Sequence, residues 1–178
     1  DKSMVTFRRC NFFDISNQNN INRQPALYST SQIFRVYSCV FRNCVNEGNG
    51  GAIYATNCDF LLVNDCDFIS CRSSQNGGAF YCTNSALIVF RNAFQFCSAS
   101  LWGGAFMYED AVHTWDLIIQ SNLFTRCQAN RYKYFHASFN QIINNTCYLY
   151  FNKFRCLESE EKDYFDIIVT ETNDPVNF

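Results

Sequence analysis

Apolar residues recur along this chain in short alternating runs. Phe34/Val36, Leu61/Val63, Leu87/Val89 and Leu117/Ile119 each stand two residues apart, which puts both side chains on one face of an extended segment. Each pair is followed by a Phe and then a Cys three residues on: Phe41/Cys44, Phe68/Cys71, Phe94/Cys97 and Phe124/Cys127. Helical spacing of three and four is not sustained anywhere, so no helix is predicted. Polar breaks such as Asn46-Glu47-Gly48-Asn49, Ser73-Ser74-Gln75-Asn76 and Ser98-Ala99-Ser100 punctuate each unit. Strands of about three to five residues, several per unit, are the expected elements.

The units are in phase. Successive Phe-x-x-Cys pairs lie 27, 26 and 30 residues apart, and Gly50-Gly51-Ala52, Gly77-Gly78-Ala79 and Gly103-Gly104-Ala105 hold one position in three of them. Cys39, Cys66, Asn92 and Asn122 form a further column, and Ile53, Phe80 and Phe106 another. Upstream, Val5, Phe7, Cys10, Phe12 and Ile15 fit the pattern, and Ala26-Leu27-Tyr28 resembles Ala52-Ile53-Tyr54. Downstream, Ile142, Cys147 and Leu149 are matched to it, with Asn144 and Asn152 in place of Val and Cys. A fixed period in this range means one unit stacked on itself, with atypical ends. The expected fold is all-β: a right-handed single-stranded parallel β-helix, a pectate-lyase-like solenoid of about six coils. Leucine-rich repeats share the period, but their LxxLxLxxN core is absent. Residues 1–156 are read as β-helix repeats, best over 34–136, and 157–178 as an acidic C-terminal capping or docking segment. The Gly pairs suit corners, where Gly permits positive φ and close backbone approach.

Gly-Gly-Ala-[Ile/Phe] in phase with Phe-x-x-Cys resembles the GGA[ILV] and FxxN repeats of the polymorphic outer-membrane protein family of chlamydiae, and related protist β-helix proteins. The resemblance covers roughly residues 34–127. The fourth family position is Cys here instead of Asn, as in the protist variants, and the autotransporter barrel is absent from this chain. The resemblance implies a surface-exposed adhesive or structural role and carries over no catalytic residue.

Charge and cysteines narrow the partners. A net charge of −2 gives no electrostatic footprint for nucleic acid, and no apolar run is long enough for a transmembrane span. The chain opens at Asp1, so it is expected to be a processed product or part of something longer. Eleven Cys is an odd count, unlike most disulfide frameworks. The ladder positions favour buried free thiols acting as small hydrophobes; vertical bridges between coils stay open, since neighbouring coils lie near the lower end of the disulfide Cα range. With no CxxC pair and a C-x4-C spacing that recurs with each coil, no metal site and no cofactor are expected. Asn144-Asn145-Thr146 is the one plausible glycosylation sequon, but Asn144 is assigned to the inward Val column.

Candidate binding residues lie where the repeat is broken. The 30-residue unit carries its extra residues around Tyr108 to Asp116, where Glu109, Asp110, His113, Trp115 and Asp116 could meet a sugar or a cation; Trp102 is a second aromatic candidate. Residues 157–178 hold seven of the sixteen acids around the run Tyr164 to Val169, suited to capping an open sheet edge or docking a neighbour. Asp65 is placed to meet Arg91 one coil away. The expected function is a non-enzymatic structural or adhesive module making protein or glycan contacts, at a cell surface or secreted, with end-to-end or filament assembly possible. The alternatives are an intracellular cytoskeletal or ciliary component, which would suit reduced thiols, and a polysaccharide lyase or hydrolase, which would need converging carboxylates.

Overall fold

The computed structural model describes residues 3–16, 24–110, 117–131, 135–139, 147–150, 152–155 and 165–169. Every regular element among them is a strand, and every strand pairing is parallel. The chain is a parallel β-solenoid. Three of its sheets are six strands deep. The first runs through Met4–Arg8, Ile33–Tyr37, Phe60–Asn64, Ala86–Phe90, Leu117–Gln120 and Cys147–Tyr150. The second runs through Asn11–Phe13, Val40–Arg42, Asp67–Ile69, Ala93–Gln95, Leu123–Thr125 and Lys153–Arg155. The third runs through Leu27–Ser29, Ile53–Thr56, Phe80–Thr83, Phe106–Asp110, Phe135–Phe139 and Phe165–Val169. A short fourth side holds Val45–Asn46, Arg72–Ser73 and Ser98–Ala99, extended by single bridges from Ser16 to Val45 and from Ser98 to Gln128. The sheets thus reach through six levels, while the regular part, from Phe34 to Cys127, amounts to about four turns.

Alternation decides which residues face in. In Phe60–Asn64 and Ala86–Phe90, Leu61, Val63, Leu87 and Val89 are fully buried while their neighbours are half-exposed. Stacking turns each column into a ladder. Phe12, Phe41, Phe68, Phe94 and Phe124 lie ring on ring, with centroids 4.7, 4.9, 5.0 and 5.1 Å apart and planes within 8° of parallel. That separation is the interstrand spacing itself, about 4.8 Å. Phe80 and Phe106 stack likewise at 4.6 Å. Aromatic burial on this scale dominates core energetics.

The Gly-Gly corners have two separate causes. Gly77 sits at φ +66°, a left-handed conformation that costs other L-residues about 1–2 kcal/mol. Gly78 needs no such φ, but a Cβ there would lie 2.0 Å from the carbonyl oxygen of Gly104 in the next coil. Only Gly lets the two backbones approach so closely. The other corners are built from non-Gly residues at positive φ: Ser38, Asp65, Arg91 and Ser121 each precede a member of the Cys/Asn column, and Asn43, Ser70, Phe96 and Arg126 each precede a member of the second Cys column.

One register differs from expectation. The strand Cys147–Tyr150 pairs with Leu117–Gln120 so that Cys147 faces Leu117 and Leu149 faces Ile119, and Phe154 faces Phe124. The last coil is therefore displaced by five residues from the alignment that began at Ile142. The reason is the corner: this register puts Asn152 against Asn122, whose backbone N–H donates to Asn152 Oδ1 at 3.0 Å. The Val column at this level belongs to Leu149, so Asn144 loses its assignment there and lies outside the described residues. Within the acidic end, Phe165–Val169 is the last strand of the third sheet, paired with Phe135–Phe139.

Candidate functional site

The corner after the first sheet shows what the Cys and Asn columns do. A left-handed residue interrupts the regular ladder there, and the amide that follows needs an acceptor. The side chain one coil further on supplies it. Cys66 N–H donates to Asn92 Oδ1 at 2.9 Å and Asn92 N–H to Asn122 Oδ1 at 2.9 Å, while Cys10 N–H reaches Cys39 Sγ at 3.4 Å. In the other direction Asn92, Asn122 and Asn152 donate from Nδ2 to the carbonyls of Val63, Val89 and Ile119, all at 2.9 Å. Cys66 copies this with its S–H, 3.5 Å from Val36 O and 3.2 Å from Asn64 O. In the second column Cys44, Cys71, Cys97 and Cys127 each place Sγ 3.4–3.6 Å from the carbonyl of the stacked Phe one coil back. Cysteine here is a weak donor and acceptor as well as a small hydrophobe. At a third corner Ser85 fills the same role, its Oγ accepting from Cys58 N–H at 2.9 Å.

The nine cysteines whose side chains are described, from Cys10 to Cys127, are free thiols, eight of them buried and Cys10 half-buried. Their acidities follow from crowding. Cys44 is raised by hydrogen bonding to Cys71 and then by burial; Cys58 and Cys97 are raised first by burial. In the Cys39–Cys66 pair the shared hydrogen bond pulls Cys39 down and pushes Cys66 up. No cation takes part in either case. No group of three or more His, Cys, Asp or Glu among the described residues is arranged to hold a metal ion.

Outside the coils two surface features stand out. On the third sheet Tyr28, Tyr54 and Tyr81 point outward in one row, edge to face at 5.4 and 5.2 Å. Exposure falls along the row from 45% at Tyr28 to 5% at Tyr81. The Tyr81 hydroxyl donates to the Glu109 carboxylate, and desolvation, then that bond, raises Tyr81 above the usual phenol range. On the fourth side a shallow groove of about 350 Å³ is lined by polar residues, among them Glu47, Arg72, Ser74, Ser98 and Ser100. Ser73 and Ser74 turn their hydroxyls to the backbone carbonyls of Gly48 and Glu47.

The candidate residues from the sequence are scattered across these features. Glu109 and Asp110 belong to the strand Phe106–Asp110 instead of a loop, because pairing with Phe135–Phe139 carries the strand through both. Tyr108, at the expected loop's start, is fully buried and donates its hydroxyl to Ser85 O at 3.0 Å. Trp102 is half-buried at the far end of the fourth side, its backbone N–H donating to Asn76 Oδ1 at 3.3 Å. His113, Trp115 and Asp116 lie outside the described residues, as does the side chain of Asp110. Arg91 Nη2 meets Asp65 Oδ2 at 2.7 Å, both side chains substantially exposed, so the pair contributes little to stability. The tyrosine row escaped sequence reading although its signal was there: the residue after Ala-Leu27, Ala-Ile53 and Ala-Phe80 is Tyr each time.

Comparison with known proteins adds no relative: no family model, no curated protein and no solved structure matches the chain. Among the described residues no helix is long and apolar enough to cross a membrane.

Proposed function

We propose that this chain is a non-enzymatic structural or adhesive β-helix module, of the kind the polymorphic outer-membrane protein repeats represent, and that its flank makes protein or glycan contacts at a cell surface or in a secreted assembly. The observation that carries this reading is the outward tyrosine row. Inside the coils, side chains are spent on packing and on satisfying corner backbone, which leaves recognition to the surface. Tyr28, 45% exposed, and the half-buried Tyr54 set two phenol side chains next to one another on the surface, the amphipathic residue type that interfaces favour. Against catalysis stands the state of the carboxylates, since Asp65 is engaged by Arg91 and Glu109 by Tyr81. A glycan array and an extracellular-protein pull-down with wild type and Tyr28→Ala/Tyr54→Ala test the reading. Binding lost in the double variant supports it; cleavage of a polysaccharide by the wild type would replace it with an enzymatic role.

A second reading is favoured by one specific observation. Nine free thiols in the described residues suit a reducing compartment, and so an intracellular structural component of a cytoskeletal or ciliary kind. Thiol titration under denaturation of protein taken from its native source separates the two. A full complement of free thiols supports the intracellular role, and few free thiols support the surface.

A further inference from the structure

We propose that Cys10 and Cys39 form a redox-closed staple that fastens the first coil to the second. The two residues occupy the same position in adjacent coils. Arg8 faces Tyr37 and Asn11 faces Val40 in the parallel register on either side of them. Stacked coils separate such Cα atoms by about 4.8 Å, within the range that a disulfide spans. Cys10 N–H already touches Cys39 Sγ at 3.4 Å.

Access differs sharply between the two. Cys39 is 1% exposed, whereas Cys10 is half-buried. Cys10 is also the less firmly held thiol. Its S–H is directed to Arg8 O of its own coil at 3.5 Å, whereas that of Cys39 lies 3.1 Å from Tyr37 O. The other cysteine columns lack this arrangement at the first level. Ile15 stands there in the column of Cys44, and the first-coil strand leading to the Cys58 corner, Leu27–Ser29, carries no cysteine.

The reaction needs an oxidant that fits the half-open site, and a small-molecule disulfide such as oxidised glutathione serves. The Cys10 thiolate attacks one glutathione sulfur and expels the other as a thiolate. Cys39, whose thiolate is favoured by the hydrogen bond from Cys66, then attacks Cys10 Sγ and expels the second glutathione thiolate. The two protein protons pass to the two leaving thiolates. Two protein thiols are oxidised to one disulfide, and one glutathione disulfide is reduced to two thiols. The staple closes the segment from 10 to 39, which contains the first-coil strand Leu27–Ser29.

The experiment treats the native chain with oxidised glutathione, blocks remaining thiols with iodoacetamide, and maps disulfide-linked peptides by mass spectrometry. A Cys10–Cys39 link, absent from both Cys10→Ser and Cys39→Ser, is expected. In the linked form, amide exchange across Met4–Arg8 should slow by on the order of a hundredfold relative to the reduced form. A stable glutathione adduct on Cys10 without the link, a Cys39–Cys66 link in its place, or no reaction at Cys10 would each overturn the proposal. Cys10→Ser, altered at a half-buried position, serves as the folded control if Cys39→Ser fails to fold.

Discussion

The corner column divides the solenoid into two halves that solve one problem with different chemistry. At the N-terminal levels the column holds Cys10, Cys39 and Cys66; at the C-terminal levels it holds Asn92, Asn122 and Asn152. Both halves must feed the amide that follows a left-handed residue and must cover a carbonyl one coil back. Asn does this with two strong bonds near 2.9 Å; among the cysteines, Cys39 Sγ accepts from Cys10 N–H at 3.4 Å and Cys66 Sγ donates to Val36 O at 3.5 Å. The column therefore requires donor and acceptor capacity together, and size comes second. What Cys gives up in bond strength it gains in reactivity, which matters only where the column reaches the surface, at Cys10.

Substitutions can isolate that difference. The Phe column runs through both halves unchanged, so Phe68→Ala and Phe94→Ala should each cost about 3–5 kcal/mol in urea denaturation, with no distinction between halves. Unequal losses would mean that the halves differ in packing as well as at the corner. Next, Asn92→Val removes the acceptor for Cys66 N–H and the donor to Val63 O. Leaving such groups unpaired in the core should cost about 2–4 kcal/mol. The matching Cys39→Val should cost about 1 kcal/mol, the smaller loss reflecting weaker sulfur bonds.

Alkali should act on the thiols and leave the Asn corner untouched. Cys44, Cys58, Cys66 and Cys97 are all raised in the folded chain, whereas in the unfolded chain thiols titrate near about 8.5. Their contribution is thus complete below that pH and is lost as pH rises above it, because only the unfolded chain releases the proton. Each thiol still protonated in the fold should remove at most about 1.4 kcal/mol per pH unit above that pH, while Cys39, lowered in the fold, acts with the opposite sign below it. Denaturation midpoints between pH 7.5 and 9.5, under a phosphine reductant, measure the slope. A flat profile would show thiols as acidic in the fold as out of it.

Much of the fold was legible because the ladders repeat residue for residue. Phe41, Phe68, Phe94 and Phe124 stack in the coils that their spacing implied. The last coil was not legible, because Ile142 offers as good an apolar match as Cys147, and hydrogen bonding through Asn152 decides between them. Side-chain periodicity carries no trace of that choice until the Asn column is seen as a requirement. The surface was harder to read. The tyrosine row emerges only after the third sheet is phased, and the groove rests on two-residue strands that look like ordinary polar breaks. Glu109 read as a loop residue because an insertion at its position was assumed to interrupt the strand, which instead runs on to Asp110.

The smallest change tests the central claim most directly: Cys66 is replaced by Asn and by Val, and both variants are compared with the wild type by urea denaturation under reducing conditions. If the column exists to satisfy corner backbone, Cys66→Asn should match or exceed the wild type, and Cys66→Val should lose about 1 kcal/mol. A Val variant as stable as the wild type beside a destabilised Asn variant would contradict the account and reduce the column to hydrophobic packing.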